Sequence, residues 1–426
     1  MKRIVFSILA AILAISAVTI GIQFAHDPGS EEASAAVADQ AGQLSRGAYL
    51  TRAGDCMACH TARGGQPYAG GRAIATPFGN LFTPNITPDA ATGIGNWSPD
   101  DFWRAVHNGK SKDGSFLYPA FPYTNYTKVT RADSDAMFAY FRTLEPVRQP
   151  NQEHALRFPY NQRVLLAGWR ALYFRPATYR PEPARSPEWN RGAYLVQGLG
   201  HCSACHSERN ALGATSGKAE LGGGVIPMLN WHASDLTSGT DGQLGDWQIE
   251  HISDLLKSGV SQRGAVFGPM AEVVRESLQH LSDSDIRSMA IYLKSLPQAP
   301  PQPTAMPVAG QETENVLKAG AKLYEKHCVD CHQAGGEGVP PAYPPLSGNR
   351  SLTVNPAINP IRMVLNGGYP PSVAGNPRPY GMPPFAMLLN DNEVAAVVSY
   401  IRNTWGHRSD LVSPAEVNRY RSVPVE

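Results

Sequence analysis

Followed by its apolar positions, the chain opens with an uncharged run from Ile4 to Ala25, preceded by Lys2 and Arg3 and followed by His26, Asp27, Glu31 and Glu32. As a helix these 22 residues would extend about 33 Å, enough to cross the hydrocarbon core of a bilayer. A secretory signal has a shorter apolar region, about 7 to 15 residues, closely followed by a small-residue cleavage site. Here the small-residue sequence Ala33-Ser34-Ala35 is set apart from the run by charges. The expectation is therefore a membrane anchor within residues 1–30 in preference to a cleaved signal. In both readings Lys2 and Arg3 stay inside and everything after residue 26 lies outside.

Further along, one apolar pattern occurs three times. A helix-compatible segment appears as Gly47-Ala48-Tyr49-Leu50, Gly192-Ala193-Tyr194-Leu195 and Gly320-Ala321-Lys322-Leu323. A second helix with an acidic start follows at a distance, over Asp133 to Leu144, Asp283 to Leu296 and Asp391 to Thr404. Each carries an aromatic-apolar-basic triplet: Tyr140-Phe141-Arg142, Tyr292-Leu293-Lys294 and Tyr400-Ile401-Arg402. A glycine on one helix and a ring on the other are what a close helix crossing requires. Gly95-Asn96-Trp97 and Gly245-Asp246-Trp247 open a further helix in the first two repeats, their tryptophans expected in the core. Prolines collect at Pro176, Pro181, Pro183 and Pro187, and again at Pro297, Pro300, Pro301, Pro303 and Pro307, as in semi-rigid linkers. The pattern predicts an all-α protein of three tandem domains with long loops, over residues 43–175, 186–297 and 312–410, behind the N-terminal transmembrane or signal helix.

Composition adds a large share of irregular chain, with 40 Gly and 36 Pro in 426 residues. The formal net charge of +1 gives no case for a nucleic-acid partner, which would call for a strong basic field. The six cysteines decide the chemistry. They stand as Cys56-Met57-Ala58-Cys59-His60, Cys202-Ser203-Ala204-Cys205-His206 and Cys328-Val329-Asp330-Cys331-His332, leaving none for a disulfide. Two thiols one helical turn apart can each add to a vinyl group of one porphyrin, and the next imidazole then reaches the iron. A lone C-x-x-C would equally suit a zinc ribbon or a redox dithiol. Three copies, each ending in His, point to three covalently bound hemes c with His60, His206 and His332 as iron ligands, in domains of the class I cytochrome c type.

A methionine opposite the histidine closes the iron and raises its potential, which suits electron transfer, whereas an open site suits ligand or peroxide chemistry. In the third domain Tyr380-Gly381-Met382-Pro383-Pro384 offers Met382, ahead of Met363 and Met387, which sit in helix-like, core-forming segments. In the second, Phe267-Gly268-Pro269-Met270 offers Met270, ahead of Met228. The matching loop of the first, Tyr118-Pro119-Ala120-Phe121-Pro122-Tyr123, holds a phenylalanine that cannot bind iron. Met137 on the last helix and His107 on the stretch Asp101 to Gly109 are its alternatives, beside a site with no strong protein ligand. His201 and His327 precede heme cysteines and would meet a propionate or solvent, and His232 reads as structural or exposed.

From Gly47 to about Arg408 the chain resembles the triheme cytochrome c subunit of membrane-bound dehydrogenase complexes that oxidise alcohols, gluconate, fructose, sorbitol or aldehydes. The resemblance is carried by Asn85-Ile86-Thr87-Pro88-Asp89 with Gly93-Ile94-Gly95, by Leu117-Tyr118-Pro119-Ala120, by Phe267 to Val274, and by Gly375 to Pro383. It implies a subunit on the periplasmic side of the bacterial cytoplasmic membrane that takes electrons from a catalytic subunit of pyrroloquinoline quinone, flavin or molybdopterin type, alongside a small third subunit, and passes them to ubiquinone. Several members have Met where this chain has Phe121. The aromatic segment Phe158-Pro159-Tyr160 and Leu165 to Phe174, with scattered Arg, matches a bilayer interface or packing on the neighbouring domain. Nothing suggests a substrate pocket of the chain's own. A peroxidase-type enzyme using the first heme, or a stand-alone respiratory cytochrome, are the competing readings.

Overall fold

A computed structural model describes residues 3, 18, 21–23, 39–215, 220–237, 244–297 and 310–423. Two compact units emerge: Met1–Ser186 with Ala193–Ala204 and Arg209–Thr215, and Pro187–Gly192 with Cys205–Glu208 and Ser216–Glu426. Most of the expected N-terminal anchor, and the linker prolines Pro300, Pro301, Pro303 and Pro307, lie outside the described residues. Among the described residues no helix is long and apolar enough to cross a membrane, so the anchor finds no support there.

In the first unit, α1 (Gln40–Ala53) runs into the short α2 (Cys56–His60). Two further helices, α3 (Pro99–Asn108) and α5 (Arg131–Phe141), bracket the one-turn α4 (Tyr123–Tyr126). α3 begins where the sequence places a cap: Ser98 and Asp101 form a reciprocal capping box with Pro99 in the first turn. Its inner face buries Phe102, Trp103 and Val106, and Phe102 meets Phe138 and Phe141 of α5. Following these, α6 (Leu166–Tyr173) is pinned by Arg170, which is 2 % exposed, donates to the carbonyl of Asn108 and lies over the rings of Phe116, Tyr123 and Phe174. The same segment leaves Phe158, Leu165 and Leu172 exposed, so it is anchored on one side and open on the other.

The second unit starts with α7 (Pro187–Tyr194), whose chain continues as a π-turn (Leu195–Leu199) and then α8 (Ser203–His206) across the boundary between units. It then adds α9 (Ile249–Ser258), α10 (Pro269–Glu276) and α11 (Asp283–Lys294). The last stretch supplies α12 (Gln311–His327), α13 (Val329–His332), α14 (Ile358–Asn366), α15 (Asp391–Ile401) and α16 (Pro414–Arg421). Ile361, Leu365, Val394, Val398 and Val417 centre its hydrophobic cluster.

The all-α expectation needs one correction. Antiparallel pairs form within the loops: β2 (Gly79–Phe82) with β1 (Ala73–Thr76) on one side and β3 (Ala155–Leu156) on the other, β4 (Gly224–Ile226) with β5 (Trp231–Ala233), and β6 (Val260–Ser261) with β7 (Gly264–Ala265). Long loops must still satisfy their backbone N–H and C=O groups, and pairing with themselves does so.

One packing device recurs three times. A Cβ built on Gly47 would collide with the carbonyl oxygen of Ala136, on Gly192 with that of Ser288, and on Gly320 with that of Ala396. The next residue met is in each case the triplet tyrosine, Tyr140, Tyr292 or Tyr400, at its Cβ. First and last helices thus touch backbone to backbone, with the ring flanking the contact. The basic residue ending the triplet has a common job too. Arg142 donates to the carbonyl of Gly95, Lys294 to those of Leu244 and Gly245, and Arg402 to those of Leu352 and Val354. It ties the end of the last helix to the loop before the middle one. In the first two repeats the crossing is also clamped by an ion pair, Arg46 with Asp133 and the two-pronged Arg191 with Asp285.

Gly47→Ala, Gly192→Ala and Gly320→Ala should therefore each lower stability by about 2–3 kcal/mol or more, the upper range of overpacking. Gly168→Ala, a helical glycine with nothing within 4 Å, should be neutral or stabilising. Thermal unfolding of the four variants checks this.

Candidate heme-attachment sites

In the first C-x-x-C-H both cysteines lie three apart on α2, and in the second and third the leading cysteine immediately precedes the short helix that carries its partner, so each pair is about one helical turn apart. None of the six is bridged. The first two motifs are entered through a left-handed residue, Asp55 (φ 52°) or His201 (φ 37°). From Gly47 to Cys56 is nine residues and from Gly192 to Cys202 is ten. The extra residue is absorbed as the π-turn Leu195–Leu199, since a single insertion into a helix widens one turn.

Each histidine is held by the same pair of contacts. Nδ1 of His60 lies 2.8 Å from the carbonyl oxygen of Pro84, that of His206 2.7 Å from Ser234, and that of His332 3.2 Å from Pro344. A carbonyl only accepts, so Nδ1 carries the proton and Nε2 keeps its lone pair. Burial lowers the pKa of all three rings, which favours the neutral, ligating form. The histidine's own carbonyl accepts from a glycine: Gly70 to His60, Gly223 to His206, Gly338 to His332. All three glycines have positive φ (77°, 80° and 62°). A Cβ on Gly70 would come within 2.6 Å of the Pro84 oxygen, on Gly338 within 2.8 Å of the Pro344 oxygen, and on Gly223 within 2.8 Å of the Asp235 nitrogen next to Ser234.

The Cytochrome c family profile matches residues 44–145 and 317–405, the first and third of these constellations. The chain is 39% identical over 97% of its length to the alcohol dehydrogenase (quinone) cytochrome c subunit of Gluconobacter oxydans, covering 87% of that protein. It is 40% identical to the gluconate 2-dehydrogenase cytochrome c subunit of Pantoea cypripedii (85% of this chain, 86% of that one), and 34% identical to the fructose dehydrogenase cytochrome subunit of Gluconobacter japonicus (89% and 82%). The chain belongs to this family of cytochrome c subunits.

Its residues fit covalent heme c: paired unbridged thiols about one helical turn apart and an imidazole with Nε2 left for iron. A zinc site is not built, because no three His, Cys, Asp or Glu among the described residues converge as metal ligands. Burial and the neighbouring Cys331 push the Cys328 thiol up to about 11, and burial raises Cys56 as well. In this cytochrome subunit Arg72 and Arg209 reach back to the carbonyls of Ala58 and Ala204, the third residue of the first and second motifs, at 2.5 and 2.6 Å. The loop with the family's Asn85-Ile86-Thr87 sequence directly follows Pro84. Asn85 donates to Thr92 and to the carbonyl of Val147 and accepts from Thr87, which stiffens the carbonyl that holds His60.

The methionines expected on the distal side are placed differently from one another. Met382 pairs its backbone with Gly368 in both directions (3.0 and 2.8 Å) and packs on the same cluster as Cys328. Met270, expected in a loop, lies in the first turn of α10, because Pro269 opens a helix there. Met387 is fully exposed on a turn, which corrects its reading as helical core, and Met228 is half exposed. In the first repeat Phe121 is half-buried against Tyr126. Met137 is buried in α5, and His107 is buried with its ring stacked on Trp103 at 4.3 Å. His201 turns its Nδ1 to the carbonyl of Leu199, and His327 meets the ring of Phe385.

Sequence reasoning missed two groups. The glycines Gly70, Gly223 and Gly338 stand ten, seventeen and six residues after their histidines, so no fixed spacing reveals them. The α4 turn is the other. Tyr126 donates to the carbonyl of Gly54 (2.6 Å), two residues before Cys56, and meets His201 edge-on, while Asn125 donates to the carbonyl of Gln197 and to Oγ of Ser203 (2.8 Å).

Gly70→Ala, Gly223→Ala and Gly338→Ala should each disturb one heme alone. The left-handed backbone by itself costs about 1–2 kcal/mol for a residue with a Cβ, and the added methyl displaces the chain that orients the histidine. Electron paramagnetic resonance (EPR) of the oxidised protein should show one altered heme signal per variant.

Proposed function

We propose that this chain carries three hemes c and serves as the electron-transfer subunit of a membrane-bound dehydrogenase on the periplasmic side, taking electrons from a catalytic subunit and delivering them to ubiquinone. The observation that carries it is the threefold recurrence of one geometry, a half-buried imidazole with Nδ1 on a backbone carbonyl, behind three C-x-x-C-H sequences. Iron in heme c supplies one-electron chemistry when bound. The chain's own residues would attach it and orient the histidine that binds it. The three domains over residues 43–175, 186–297 and 312–410 are read from this repetition. Named relatives that are cytochrome subunits of alcohol, gluconate and fructose dehydrogenases support a catalytic partner. The exposed Phe158, Leu165 and Leu172 support a bilayer-facing surface.

Met270 and Met382 are proposed as distal ligands of the second and third hemes. At the first, Phe121 in the matching loop leaves no thioether, so that iron is open or weakly closed.

Mass spectrometry of the chain should show three heme additions. Mild detergent extraction should bring down a large dehydrogenase subunit whose substrate reduces all three hemes and a ubiquinone analogue. A chain that arrives alone and turns over peroxide would reverse this reading. Carbon monoxide should bind the reduced protein at one heme of three, and Phe121→Met should suppress that binding by about tenfold or more, a thioether contact being worth at least one factor of ten.

A further inference from the structure

We propose that α14 is a shared brace for the second and third heme sites, with Asn359 and Arg362 as its positioning residues; this deepens the reading above and rests on it. The N-terminal half of the helix holds the β4–β5 hairpin. The Asn359 amide completes the edge of β5, accepting from the backbone N–H of His232 (2.9 Å) and donating to the carbonyl of the same residue (2.8 Å). Arg362 is 2 % exposed, donates to the carbonyls of Leu229 (2.7 Å) and Asn230 (3.0 Å), and sits 4.6 Å from the Trp231 ring.

That hairpin serves the second heme on two sides. Ser234, immediately after β5, supplies the carbonyl that fixes Nδ1 of His206. Trp231 backs the turn before Met270: a Cβ on Gly268 would meet its ring at 2.6 Å. At the other end α14 runs out into Gly367 and Gly368. Gly368 exchanges both backbone hydrogen bonds with Met382, the proposed distal ligand of the third heme. The same glycine faces the second heme's distal loop, since a Cβ on it would lie 3.5 Å from the ring of Phe267.

One nine-residue helix therefore fixes the backbone that aims His206 and the backbone that aims Met382. It cannot adjust to one site alone, because Ile361 and Leu365, both fully buried, lock it into the third repeat's cluster, and close-packed cores transmit displacement. Docking alone would not require a side-chain amide spent on the residue two positions before Ser234. The arrangement ties the axial geometry of the two hemes together.

The test uses the full-length, heme-loaded protein in its extracted complex, read by EPR and redox titration. Met270→Ala and Met382→Ala first assign the signals, each expected to move a different heme. If neither moves any signal, the ligand reading above has failed, independently of the brace. With signals assigned, Asn359→Ala should shift the g-values and midpoint potentials of the second and third hemes together and leave the first unmoved. Gly338→Ala, whose added methyl would meet Tyr343 and Pro344 in the turn that orients His332, should shift the third alone. Asn359→Gln keeps both the donor and the acceptor of the amide without adding charge and should give a smaller paired shift; it also serves if the alanine variant does not fold. A shift confined to one heme, or none, with three hemes still attached, would overturn the proposal.

Discussion

The structure depends on a contact between two helix backbones that only glycine permits. At Gly47, Gly192 and Gly320 a carbonyl of the repeat's last helix occupies the space a side chain would need, and the tyrosine one turn further on walls the contact in. The first helix leads directly into the cysteines, so its rigid seat against the last helix decides where the thiols stand. The last helix ends in the basic residue that ties down the loop before the middle helix, and Arg402 does so from the interior, where burial lowers its pKa to about 10. Hydrogen bonds from a charged donor to several carbonyls offset that desolvation.

From that scaffold the three sites reach one geometry by different routes. The carbonyl that orients the histidine arrives after 24, 28 and 12 residues, and the glycine that receives the histidine's backbone lies at three different spacings. What is kept is the physical requirement: one ring nitrogen protonated and fixed, the other free. Conserving that requirement while loop lengths vary is possible because backbone groups do the holding, and any residue that can adopt the turn supplies them. The left-handed glycine is the exception, since a Cβ would push away the chain it must let in.

Legibility followed the same division. Cys56, Cys59, His60 and their counterparts were plain from the chain, because covalent attachment demands contiguous residues. Met382 stands out through its Pro and Gly neighbours, and the structure keeps it in a loop before the last helix, bridged to Gly368. Met270 reads from the sequence as a loop residue but stands in a helix, since the turn that Pro269 opens is short and backed by Trp231 behind Gly268. Met387 was misread as core: its apolar neighbours suggested burial, and the turn leaves it in solvent. His107 and Met137 could not be ranked from spacing, and the structure puts both inside packed helical faces, the former against Trp103.

By itself the sequence determined the repeat, the helix pair that builds it, and the three C-x-x-C-H sequences proposed to attach and ligate heme, because these depend on local spacing and on side-chain chemistry. It did not disclose the carbonyls of Pro84, Ser234 and Pro344, the turn of Asn125 and Tyr126 that touches two attachment segments, or the helix whose Asn359 and Arg362 hold a hairpin more than a hundred residues away. Those contacts are made by backbone groups, or by polar side chains reaching backbone groups far along the chain. Backbone atoms are the same at every residue, so only the folded path decides which of them meet.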